Sequence, residues 1–175
     1  RCAGCHGTDG AGSGSIAQHD PALMNMLSKE TLRELVLNGR ESTHMPSFQS
    51  NTGNPLTDAQ IDVIVDGMVE RWSADAPPWS TSRRYEVKTG KATRGKGAFV
   101  DMCGQCHGND GSGGSAGSVI MPAYLELVSP QYLRTVILCG RPELGMPPLA
   151  SKIDDRTIDD IVAWLRTHKT FRSNQ

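Results

Sequence analysis

The pattern Cys-x-x-Cys-His occurs twice, as Cys2-Ala3-Gly4-Cys5-His6 and as Cys103-Gly104-Gln105-Cys106-His107. Each copy is followed by a glycine and then by an Asp-Gly pair, Asp9-Gly10 and Asp110-Gly111. The spacing is that of a covalent haem attachment site: two thiols add to the vinyl groups as thioethers, and the adjacent imidazole reaches the iron. Other chemistries use Cys-x-x-Cys, notably zinc sites and dithiol redox centres. A zinc site would have to gather its ligands from two distant motifs, and it gives no reason for a histidine after the second cysteine in both. A thioredoxin-like dithiol belongs at a helix start after a strand, and no apolar strand run precedes either copy. The expectation is two covalently attached haem c groups, held through Cys2 and Cys5 and through Cys103 and Cys106.

The motif heads a longer duplication. Shifted by 101 residues, the halves overlay without a gap from Cys2 to Pro46. Pro21 falls on Pro122, Ser28 on Ser129, Leu32-Arg33 on Leu133-Arg134, Gly39-Arg40 on Gly140-Arg141 and Met45-Pro46 on Met146-Pro147. After a shorter loop the offset becomes 97, and Ile61, Ile64 and Val65 meet Ile158, Ile161 and Val162. Ser28 caps a helix expected over Lys29–Asn38, which Gly39 ends. Ser129 does the same, with Pro130 at the first helical position and Gly140 at the end. Thr57 with Gln60 forms a capping box for a helix to about Arg71, with an apolar stripe of Ile61, Ile64, Val65 and Met68. Asp154 or Asp155 opens the counterpart. Gly95, Phe99 and Cys103 are spaced by four and share one face of a helix before the second motif. No alternating strand pattern is present, so the chain reads as all-α.

Aromatic residues make up 5% of the chain, against 19 glycines and 10 prolines. Two domains of under ~90 residues each would be marginal on such material; a prosthetic group in each supplies the missing apolar bulk. The net charge of −1 argues against a nucleic-acid partner. The expected division is a domain over 1–72, a linker over 73–94 and a domain over 95–175. The linker carries Pro77-Pro78, Trp79 and a basic excess (Arg83, Arg84, Lys88, Lys91, Arg94), and reads as an extended surface segment, with a docking strip for an acidic partner as the alternative. No apolar run of ~20 residues is present. The chain begins at Arg1, without an initiator methionine, one residue before a motif cysteine. The helix that should precede the first motif is therefore expected upstream, where a signal peptide or anchor would also lie, leaving membrane association through that region open. Cys139, outside both motifs, reads as a small buried hydrophobe on a helix.

A six-coordinate haem needs a second axial ligand opposite the histidine. Met24 and Met26 align with Leu125 and Leu127, and Met68 with Leu165, which marks these positions as core. Met102 adjoins a motif cysteine, and Met121 aligns with Asp20. Met45 and Met146 are methionine in both halves, each before a proline and each 39 residues after its histidine. The expected iron ligands are thus His6 with Met45 and His107 with Met146. His44 is a rival nitrogen donor, although its counterpart is Gly145, which favours a loop-surface role. His19 and His168 read as ordinary polar residues. Each iron-bound histidine should donate its other ring nitrogen; a backbone carbonyl near Pro21 or Pro122 is the candidate acceptor. Arg40 and Arg141, on the loops leading to the methionines, are candidates for neutralising a propionate, with an exposed helix-end arginine as the alternative.

These residues resemble class I cytochrome c, particularly the small domains of cytochrome c4 and of the dihaem subunit of cbb3 oxidases. The pattern is carried by Gly95, Phe99, Cys103, Cys106, His107, Gly108, Pro122, Gly140, Arg141, Met146, Pro147 and the helix Ile158–Leu165, and in the first half from Cys2 onward. The resemblance implies two tandem all-α domains, each wrapped around a haem in a crevice, and assembly outside the cytoplasm, in the periplasm or on the exterior face of the membrane. Iron closed on both sides implies electron transfer rather than catalysis, between redox protein partners or within a respiratory or photosynthetic membrane complex. The alternative is a dihaem enzyme, a peroxidase or a thiosulfate-oxidising cytochrome, with a labile distal ligand at the first haem.

Overall fold

A computed structural model describes residues 1–11, 17–40, 45–49, 53 and 55–169, the side chain at 143 excepted. They fall into two compact units, the first Arg1–Tyr85 and the second beginning at Glu86. The stretch expected as a linker is shared between them. In the first unit a 3-10 turn, Pro78–Ser82, brings the buried Ser80 hydroxyl to accept from Asn25 Nδ2 at 2.7 Å. Tyr85 is buried in that unit's core. In the second, the Lys88 and Lys91 N–H groups donate to the carboxylates of Asp159 and Asp160 at 3.2 and 2.5 Å. Buried side chains and backbone donors matched to carboxylates are what separate this segment from a solvated tether.

The first unit contains α1 (Ala3–His6), α2 (Pro21–Met26), α3 (Lys29–Asn38) and α4 (Asp58–Trp72). The second contains α5 (Ala92–Met102), α6 (Gly104–His107), α7 (Pro122–Leu127), α8 (Pro130–Cys139) and α9 (Asp155–Arg166). Among the described residues there is no strand, and one isolated antiparallel bridge joins Arg141 and Met146. The caps act as the sequence predicts. Ser28 accepts from the Thr31 N–H and Ser129 from the Tyr132 N–H. Thr57 and Gln60 make both halves of their box. Asp154, not Asp155, caps α9. Helices α2 and α7, six residues each, are too short for an apolar period to show in the sequence; Pro21 and Pro122 hold their first helical position, where an absent N–H costs nothing.

The core of the first unit is Leu23, Met24, Leu27, Leu32, Ile61, Val65 and Tyr85, with Met68 and Trp72 packed against it. In the second, Phe99 meets Trp164 at 4.5 Å between ring centroids, beside buried Leu125, Leu138, Ile158 and Ile161. The Met24/Leu125 position is core in both halves. The Met26/Leu127 position is not, since Leu127 is 65% exposed. Cys139 ends α8 and is half-buried rather than fully enclosed. Helices α5 and α9 cross in backbone contact: a Cβ on Gly95 would run into the Asp160 carbonyl.

One ion cluster occurs in both units. Arg33 reaches Asp58 and Asp62 at 3.0 and 2.9 Å. Its counterpart Arg134 reaches Asp155, and Asp159 at 3.4 Å. The Arg33 side chain is 34% exposed, whereas Arg134 is fully buried.

Candidate functional site

Each Cys-x-x-Cys-His sequence winds into a single helical turn. The His6 N–H donates to the Cys2 carbonyl at 2.9 Å and the His107 N–H to the Cys103 carbonyl at 3.0 Å. One turn places the two thiols of a motif on the same side, with the histidine next along the helix. None of the four thiols is in a disulfide. Cys2, Cys5 and Cys106 are exposed and Cys103 is half-buried. Burial, reinforced by Cys106, pushes the Cys103 thiol up to about 11, so it is protonated at neutral pH.

The His107 ring is held by the loop that follows it. The Gly113 N–H donates back to the His107 carbonyl and the Ala116 N–H to the Cys106 carbonyl, both at 2.9 Å. This fold-back brings the Gly117 carbonyl to 2.9 Å from His107 Nδ1. A proton on Nδ1 shared with that carbonyl leaves the Nε2 lone pair for a metal. The carbonyl within reach of His107 Nδ1 is thus that of Gly117; Pro122, near which an acceptor was expected, heads α7 five residues further on. In the first unit the counterpart of Gly117 is residue 16, outside the described residues. There His6 Nε2 lies 3.5 Å from Gln18 Nε2. Pro21 heads α2 and, with Asp9, His19, Arg71 and Trp72, lines an open cavity of about 320 Å³.

The methionines sit on a clasp built twice. In the first unit the Arg40 N–H donates to the Met45 carbonyl at 3.0 Å, and the Phe48 N–H returns to the Val36 carbonyl of α3 at 3.3 Å. In the second, the Arg141 N–H donates to the Met146 carbonyl at 2.8 Å, the Met146 N–H to the Arg141 carbonyl at 3.0 Å, and the Leu149 N–H to the Ile137 carbonyl at 3.2 Å. Gly39 and Gly140, with φ of 69° and 70°, turn the chain out of α3 and α8 into these clasps. A Cβ on Gly140 would stand 2.6 Å from the Met146 carbonyl oxygen. In the sequence these glycines mark helix ends; their second role, letting the methionine loop approach, shows only in three-dimensional contact. Met45 and Met146 are both half-buried. His44 lies outside the described residues.

Both loop arginines meet a tyrosine hydroxyl. Arg40 Nη1 donates to Tyr85 at 2.6 Å, with the guanidinium carbon 5.9 Å from the ring centroid. Arg141 Nη1 donates to Tyr132 at 3.3 Å. Tyr124 stands near this second pair; burial and the neighbouring Tyr132 outweigh the pull of Arg141 and push its hydroxyl up to about 12. The repeat gives no sign of these tyrosines, because Tyr132 aligns with Thr31 and Tyr85 falls in the expected linker. His19 is exposed, and His168 sets its ring edge-on against Trp164 at 4.9 Å.

The donor set fits a c-type haem: paired thiols one turn apart, an imidazole with Nε2 left open in the second unit, and a thioether on a pinned loop. Among the described residues no three His, Cys, Asp or Glu side chains come together as a zinc site would require. Nor, among them, is any helix long and apolar enough to cross a membrane.

The chain is 38% identical over 71 residues to a dihydro-heme d1 dehydrogenase of Pseudomonas aeruginosa, a match covering 41% of this chain and 14% of that relative's length. Among solved structures it is similar to a chain of the Kuenenia stuttgartiensis reducing HAO-like protein complex Kustc0457/Kustc0458, over 97% of this chain and 92% of that one, at 14% identity and a TM-score of 0.48. It is also similar to reduced recombinant cytochrome c4 from Pseudomonas stutzeri, over 94% and 92% of the two chains, at 16% identity and a TM-score of 0.29. The family model for cytochrome C oxidase, cbb3-type, subunit III matches residues 1–66 and 90–165. The chain thus belongs to the cbb3-type cytochrome c oxidase subunit III family, and is a dihaem class I c-type cytochrome with covalently bound haem c.

Proposed function

We propose that this chain passes electrons between redox protein partners with both irons closed, one between His6 and Met45 and the other between His107 and Met146. The repeated clasp supports this reading most directly, because in both units the same backbone bonds hold a methionine at a fixed place after a Gly-Arg turn. Bound haem supplies the one-electron ferric/ferrous couple. The chain does the rest. Cys2, Cys5, Cys103 and Cys106 hold the group covalently. The Gly117 carbonyl orients His107. Met45 and Met146 would serve as soft donors to bound haem iron, favouring its ferrous state and leaving no coordination site for a substrate. Arg40 and Arg141 offset propionate charge. The family's name supports a place as a subunit of a membrane oxidase complex, working outside the cytoplasm.

Redox titration with optical detection tests this. The wild type should show two low-spin haems per chain; Met45→Ala and Met146→Ala should each lower one potential and open one iron to carbon monoxide. Two unaffected haems in both variants would refute the ligand assignment. The rival reading, a dihaem enzyme, has support in the dehydrogenase relative, of which this chain spans 14%. Rapid turnover of peroxide or thiosulfate with high-spin iron at the first site would favour it.

A further inference from the structure

We infer that Tyr85 is a positioning residue for the first haem site, acting through Arg40 on the Met45 loop; the inference rests on the reading of Met45 as an axial ligand. Arg40 is tied at both ends. Its main-chain N–H donates to the Met45 carbonyl at 3.0 Å, and its guanidinium donates to the Tyr85 hydroxyl at 2.6 Å. The Tyr85 ring is 8% exposed and packed with Leu23, Met24, Leu27, Leu32, Ile61 and Val65. It is a fixed post in the core, and the arginine is the arm that joins this post to the clasp. The charged donor makes this a strong hydrogen bond, and the guanidinium also lies within cation–π reach of the ring.

The duplication supplies an independent argument. Arg40 and Arg141 occupy equivalent positions, but the tyrosines that meet them do not: Tyr132 lies on α8, three residues into the helix, and Tyr85 is the last residue of the first unit. Two unrelated places in the sequence deliver a tyrosine hydroxyl to the two equivalent arginines. Inheritance from a common repeat does not explain that, whereas a shared need to hold the Gly-Arg turn does. Anchoring the guanidinium restrains the Arg40 backbone, and the Arg40 backbone closes on Met45. Loss of the hydroxyl should therefore ease departure of the methionine while leaving the apolar ring in the core.

The test is Tyr85→Phe in the holoprotein, read by imidazole titration of the ferric form and by the two midpoint potentials, with sites assigned through Met45→Ala and Met146→Ala. Losing one hydrogen bond to a charged group should raise imidazole affinity at the first site about tenfold and lower that site's potential, with the second site unchanged. Tyr132→Phe should act on the second site alone. A Tyr85→Phe protein with wild-type affinity and potential at the first site overturns the inference, provided the wild type shows thioether–iron ligation there. A wild type without such ligation refutes the Met45 reading itself, and the inference with it. Should Tyr85→Phe fail to fold, Arg40→Lys keeps the charge and loses the planar fork; an unshifted first site in that variant is equally decisive against the inference.

Discussion

Alanine at position 140 strikes the second clasp at its tightest point. Gly140 has φ 70° and ψ −168°, a conformation open to glycine and costing other residues of order 1–3 kcal/mol. The added methyl would also stand 2.6 Å from the Met146 carbonyl oxygen, the Pro147 carbonyl carbon and the Pro148 nitrogen, all main-chain atoms with no rotamer to escape into. Relief requires the loop to open. That forfeits the two bonds between Arg141 and Met146, each worth about 1 kcal/mol. The sum, about 3 kcal/mol or more, shifts the balance between closed and open loop by about a hundredfold, since 1.4 kcal/mol is tenfold. Gly140→Ala should therefore weaken thioether ligation at the second haem, lower its midpoint potential and increase its affinity for added imidazole by about that factor, with the first haem as the internal control. Spectroelectrochemistry and imidazole titration read both quantities. If the second site keeps its wild-type potential and ligand affinity, the clasp does not hold Met146 and the reasoning fails.

Two further outcomes follow from the ion pairs. Arg134→Ala strands the buried Asp159 and should cost about 3–5 kcal/mol in the denaturant unfolding of the second unit, whereas Arg33→Ala, on exposed partners, should cost much less in the first; equal costs would contradict the difference in burial. For Asp160, burial works to raise the carboxyl, but the Lys91 N–H and Arg94 outweigh it and hold the group below its ordinary value. A carboxyl depressed in the folded state stabilises above the unfolded value of ~3.9 and loses that stabilisation as the pH falls through the folded one. Helicity followed during acid titration should accordingly fall less steeply below about pH 4 in Asp160→Asn than in the wild type; parallel curves would exclude this contribution.

The helices and their starts were legible in the sequence because capping is local. Ser28, Thr57 and Ser129 each bond within three residues of themselves, so short-range chemistry decides them. The Met45 and Met146 loops were legible because the chain carries two copies, and comparing copies separates a retained methionine from an apolar filler. What escaped depends on distant atoms. The Gly117 carbonyl serves His107 only once the glycine-rich loop has folded back, and no side chain announces it. Tyr85 looked like linker because its partner, Arg40, lies 45 residues away. The buried state of Arg134 was hidden for the same reason: Arg33 reads identically, and nothing local shows that the Arg134 partner Asp159 is buried and accepts from the distant Lys88 N–H.

The bridge between Arg141 and Met146 uses only main-chain atoms. The force that holds Met146 is thus nearly blind to which side chains decorate the hairpin's tip, and Leu144, 74% exposed there, can be exchanged without moving the methionine. A hairpin built this way can change the side chains it presents to solvent while the methionine behind it stays put.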